Sequence, residues 1–79
     1  MTSPSETESL TGSEDPVYNL IWFTEASLRN ASHLGAYIAD AERDGDEELA
    51  EFFRKAQRVS RRGGELGKSL LASRLATNA

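Results

Sequence analysis

The chain has no cysteine and only one histidine, one tryptophan and two prolines among its 79 residues. Without cysteine there can be no disulfide and no zinc–thiolate site, and nothing points to an oxidising compartment, so the expected location is cytoplasmic. One histidine cannot build a multi-histidine metal centre, and so short a chain offers no concave scaffold for a Ser-His-Asp arrangement. His33 therefore reads as a surface or interface residue. Long apolar runs are missing too. No stretch approaches the roughly 20 residues of a membrane span, and the N-terminus has neither the basic start nor the apolar stretch of a signal peptide. These absences predict a soluble chain with no membrane partner, no cofactor and no enzymatic activity.

The formal net charge of −4 is unevenly spread. Glu6, Glu8, Glu14 and Asp15 are unopposed, whereas residues 16–79 hold nine acids and nine Lys or Arg. The first fifteen residues, MTSPSETESLTGSED, are polar and acidic and are expected to form a disordered tail. The neutral remainder argues against a nucleic-acid partner. Its one basic run, Arg54, Lys55, Arg58, Arg61 and Arg62, spreads around a helix at this spacing and gives no single face to neutralise a row of phosphates.

Apolar periodicity and capping residues predict two helices. Ser13 or Asp15 can cap the first, with Pro16 in its opening turn where a missing N–H costs nothing. Its apolar stripe runs through Val17, Leu20, Ile21, Leu28, Ala31, Leu34, Ile38 and Ala41 and stops before Gly45, suited to a left-handed C-terminal position. Asp46 can cap the second helix, with Glu47 and Glu48 in the first turn where the helix dipole favours anions. The expected spans are 16–43 and 46–74, with a turn at 44–45 and a loose end at 75–79. So short a connection makes the helices antiparallel neighbours.

On the second helix Leu49, Phe52, Ala56, Val59, Gly63, Leu66 and Leu70 recur at alternating steps of three and four, the spacing of a lengthwise helix-packing seam. These residues are expected to bury themselves against the first helix. Gly63, Gly64 and Gly67 weaken a helix interior and point to a crowded crossing. The first helix carries a second apolar face with Tyr18, Trp22 and Ala26 together and Phe23 and Tyr37 on its border. A two-helix hairpin cannot cover both faces, and aromatic side chains in an exposed half mark a contact surface. The fold expected is all-α, an antiparallel two-helix hairpin that dimerises into a four-helix bundle or docks on a larger complex. Its predicted contact residues are Tyr18, Trp22, Phe23, Leu49, Phe52, Val59, Leu66 and Leu70.

Two segments invite chemistry. RRGGELGKSL looks like a phosphate loop, but the first glycine of that motif would fall on Arg62 and no strand precedes it. The turn is a closer match to a twelve-residue calcium loop. Asp40, Glu42, Asp44, Asp46 and Glu51 occupy its oxygen positions, with Gly45 sixth at the bend. It departs from the pattern at Glu42, longer than the usual Asp or Asn, and at Glu47 or Glu48, where an aliphatic residue is normal. The alternative reading of the same letters is a helix end, a glycine turn and an N-cap. A calcium-responsive module built on residues 40–51 is therefore the second functional expectation.

The stretch Tyr37 to Gly64, YIADAERDGDEELAEFFRKAQRVSRRGG, resembles the middle of a ferritin-like or rubrerythrin-type bundle half, and is similar to short bacterial proteins that consist of little more than such a hairpin. Di-iron members of that family hold metal with a glutamate on the first helix and a Glu-x-x-His pair on the second. Laid on this chain without gaps, those places fall at Ser27, Ser60 and Gly63. The resemblance therefore implies a bundle half that keeps the packing surface and lacks the iron chemistry.

Overall fold

The computed structural model describes residues 15–78, which form two helices, α1 (Pro16–Arg43) and α2 (Glu47–Asn78). The acidic tail lies outside the described residues except for Asp15. That residue is the N-cap of α1: its Oδ1 accepts from the backbone N–H of Val17 at 3.0 Å and of Tyr18 at 3.4 Å, ahead of Pro16.

The joint between the helices is three residues long and fully bonded. Gly45 takes a φ of +75°, its N–H donates to the Glu42 carbonyl at 3.0 Å, and the Asp46 N–H donates to the Ala41 carbonyl at 2.9 Å. That pair of bonds is the Schellman closure of a helix end, and glycine supplies the left-handed backbone without steric cost. Asp46 immediately starts α2. Its Oδ1 accepts from Leu49 N–H at 3.1 Å and its carbonyl from Ala50 N–H at 3.0 Å. One residue thus closes α1 and caps α2. Helix α2 then continues to Asn78, beyond the expected end near 74, since residues 72–78 contain neither glycine nor proline to stop it.

The two helices pack along their length, but through a different stripe of α2 from the one expected. On α1 Thr24, Ala31, Leu34 and Ala41 are buried, flanked by half-buried Val17, Leu20, Ser27, Leu28 and Ile38. Facing them on α2 are buried Ala50, Gly64 and Gly67 with half-buried Phe53, Gln57, Ser60 and Leu71. These α2 positions keep the three-and-four spacing, shifted one residue from the expected seam. Leu49, Phe52, Val59, Leu66 and Leu70, expected to bury against α1, are exposed instead.

The reason is distance. A Cβ on Gly64 would collide with Leu28 Cδ2 and lie 2.7 Å from its Cγ, and one on Gly67 would collide with Thr24 Oγ1 and lie 3.1 Å from its Cβ. Backbones that approach this closely admit only small residues, so the less apolar stripe faces inward. Gly63, in contrast, would meet Phe23 Cζ at an ordinary 3.5 Å, so the crowding belongs to two of the three glycines singled out. Polar bonds lock the crossing: Gln57 Nε2 donates to the Ala31 carbonyl at 2.9 Å, and Asn30 Nδ2 to Ser60 Oγ at 2.8 Å. The buried apolar set among the described residues is Ala31, Leu34, Ala41 and Ala50, three of them alanine. No helix among the described residues is long and apolar enough to cross a membrane.

Candidate association surface

With Ala50, Gly64 and Gly67 buried, Leu49, Phe52, Val59, Leu66 and Leu70 of α2 form a continuous outer stripe. Phe52 is 62 % exposed and Val59 73 %, with Leu49, Leu66 and Leu70 between 41 % and 52 %, and half-buried Ala56 and Gly63 lie between them. Helix α1 adds to this side. Phe23 lies over Gly63, and the Tyr37 ring sits 5.5 Å from that of Phe53, which is itself 5.6 Å from Phe52. Tyr37, Phe53 and Phe52 therefore form an aromatic chain leading from the hairpin seam to the outer stripe.

Of the residues predicted to make contacts, Phe23, Leu49, Phe52, Val59, Leu66 and Leu70 thus share one side of the hairpin. Tyr18 and Trp22 do not. They pack edge to face at 6.0 Å and, by helical phase, point away from the α2 stripe on the outer side of α1. Phe53 and the role of Tyr37 are missed by sequence periodicity, because each lies beside a stripe and contributes only through its partner across the hairpin. At the turn, Tyr37, Leu49 and Phe53 join Ala41, Asp40, Asp44 and Asp46 around a shallow cavity of about 210 Å³. Its walls are aromatic and aliphatic and its rim is acidic.

On the opposite side of the turn Arg54 ties the two helices together. It donates to Glu42 Oε2 at 2.7 Å on α1, and to Glu47 Oε2 at 3.0 Å and Glu51 Oε1 at 2.9 Å on α2. Three carboxylate partners hold the guanidinium charged beyond its already high range. The hydrogen bond from Arg54 lowers the Glu51 carboxyl below its ordinary 4.5, against a smaller opposing effect of partial burial and with help from the charges of Arg54, Arg58 and Lys55. A carboxyl depressed in the folded state stabilises above its unfolded value and loses that contribution as pH falls through the lower folded value. Arg54→Gln is therefore expected to flatten the acid limb of melting temperature against pH below about 4.5. An acid limb parallel to that of the unsubstituted chain would show that Arg54 does not set it.

The same cluster bears on the acidic turn. Asp40 and Glu42 lie within α1, Glu51 lies within α2, and both Glu42 and Glu51 bond to Arg54. Among the described residues no group of three or more His, Asp or Glu converges to hold a metal ion. The places that match the iron ligands of the ferritin-like pattern are packing positions here: Ser60 bonds to Asn30 across the seam, Gly63 on the outer stripe lies under Phe23, and Ser27 is half-buried. Residues 61–70 are helical throughout, so the glycine-rich segment forms no loop around a phosphate. The basic run is divided, with Arg54 inside the turn cluster and Lys55, Arg58, Arg61 and Arg62 exposed. Comparison with protein-family models, with curated proteins and with solved structures finds no match to this chain.

Proposed function

We propose that this chain is a non-catalytic helical assembly module whose hairpin pairs with a second copy to complete a four-helix bundle. One observation carries the reading: the fully buried residues are Leu34 with alanines, glycines and Thr24, while Phe23, Leu49, Phe52, Val59, Leu66 and Leu70 lie exposed. A hairpin of some 60 residues with so small a core is marginal alone, and association is a common remedy. Phe23, Tyr37 and the five large residues of the α2 stripe expose on the order of 100 Å² each, roughly 700 Å² together, close to the ~800 Å² each partner contributes to a standard interface.

Charge favours self-association as well, since residues 16–79 balance nine acids against nine bases and two copies carry no net repulsion from this region. The ferritin-like resemblance enters only as architecture, two hairpins forming a bundle without the iron ligands. The lack of cysteine suits a reducing, cytoplasmic setting. Native mass spectrometry of the purified chain, backed by sedimentation equilibrium, tests the proposal. A metal-free dimer is expected. A monomer at every concentration tried would overturn it.

A further inference from the structure

We infer that the second copy docks antiparallel, α2 along α2, placing its Leu66 over the cavity at the hairpin turn. The inference rests on the self-association proposed above and adds the direction, the register and the occupant of the cavity. Three features point the same way.

The first is the order of sizes along the stripe. Leu49 and Phe52 are bulky at one end, Leu66 and Leu70 at the other, and Ala56 and Gly63 are small on either side of Val59. In a parallel pair each residue meets its own copy, so Phe52 crowds Phe52 while Gly63 faces Gly63 across a gap. An antiparallel pair centred between Ala56 and Val59 sets Phe52 over Gly63 and Leu49 against Leu66. Bulk then fills space, as close packing requires.

The second feature is charge. Helix α2 begins beside Asp44, Asp46, Glu47 and Glu48, whereas toward its far end Lys68 pairs with Glu65 and the last acid is followed by Arg74. Antiparallel docking brings the acidic start of one copy to the basic end of the other and opposes the helix dipoles favourably, whereas parallel docking stacks acid on acid. Lys55 and Arg62, which flank the stripe, meet like charges in either direction, so the ends decide.

The third is the turn cavity, with its floor of Tyr37, Leu49 and Phe53 and its rim of Asp40, Asp44 and Asp46. In the register set by the size pattern, Leu66 of the second copy falls opposite Leu49 on the cavity floor, at the level where α2 leaves the turn. An apolar side chain is thus brought to an apolar floor.

Because the chain has no cysteine of its own, single cysteines report the geometry directly. Leu49 and Leu66 are about 25 Å apart along one helix at 1.5 Å per residue. Mild oxidation of a mixture of Leu49→Cys and Leu66→Cys chains is expected to give the mixed disulfide far above the background set by Arg29→Cys on the outer side of α1. Leu49→Cys alone should stay at that background. Disulfide formation by Leu49→Cys alone would establish parallel docking and overturn the inference while leaving self-association standing. Background rates in a chain that is dimeric by native mass would overturn α2–α2 docking. A chain that is monomeric throughout would remove the self-association itself. In the dimer, Leu66→Ala is expected to weaken association at least tenfold with helix content unchanged, and undiminished association would exclude the turn cavity as the seat.

Discussion

Replacing Gly64 and Gly67 together with alanine is expected to unfold the hairpin, while Gly35→Ala is expected to raise its melting temperature. Alanine improves helix propensity by about 1 kcal/mol at each site, so propensity alone predicts stabilisation everywhere. Packing reverses the sign at two of the three. The new Cβ at Gly67 meets the stem of Thr24, which is buried and β-branched and so cannot swing aside at χ1. At Gly64 it meets Leu28 near its branch point rather than at a flexible tip. The helices must part over two adjacent turns, which strains the Gln57 and Asn30 bonds across the seam.

Overpacking of this kind costs about 1–3 kcal/mol per site, and lost hydrogen bonds add about 1 kcal/mol each. The net loss of about 2–6 kcal/mol is a large share of the roughly 3–9 kcal/mol available to a domain of some 60 residues. At Gly35 the added carbon meets only the end of the Gln57 side chain, at 3.6 Å. Thermal and urea melts followed by circular dichroism, at one fixed protein concentration because association would contribute, decide the matter. A double variant that melts at or above the parent temperature would mean that the close backbone approach does not hold the hairpin.

Phe52→Asp is expected to abolish association while leaving both helices formed. Phe52 is mostly exposed in the single hairpin, so the substitution removes little from the interior. In a two-fold dimer it acts twice. Each copy loses about 1–2 kcal/mol of apolar burial, and each aspartate must also be desolvated at the interface, which together weaken association by roughly 10²–10³-fold. Sedimentation equilibrium should show a monomer, and circular dichroism should show helix retained at low temperature with a lower melting point. A dimer of undiminished affinity would remove the stripe as the interface. Loss of helix at every temperature would show that Phe52 belongs to the hairpin interior after all.

Local chemistry is the part of this fold most legible in the sequence. Asp15 ahead of Pro16, Gly45 with a positive φ, and Asp46 ahead of two glutamates each perform the task their residue type suits, and the helix starts follow from them. The apolar stripe of α1 is legible too, except that Ile21 is exposed and polar Thr24 lies buried with no hydrogen-bond partner for its Oγ1. The inward face of α2 is not legible from hydrophobicity, because two stripes with the same spacing run side by side and the bulkier one attracts the assignment. What selects the other is interhelical distance, and its signal is the run of small residues Ala50, Ser60, Gly64 and Gly67 facing Thr24, Ser27 and Ala31. The residues proposed for contact are legible in the sequence as a set, but their division into a shared side and a separate Tyr18–Trp22 pair depends on helical phase across the hairpin.

The dual service of Asp46 gives the joint a further role, that of a phase key. Since α2 starts on the residue that closes α1, no slack remains in which α2 can turn about its own axis. Each residue turns an α-helix by about 100°, so a connection one residue longer or shorter would rotate α2 relative to the joint by more than a quarter turn. The two stripes of α2 are themselves one residue out of step. Which of them becomes interior and which is offered to a neighbour is thus governed by the length of a three-residue joint as much as by the chemistry of the stripes, and a change at Asp44, Gly45 or Asp46 acts on the outer surface of the molecule without touching it.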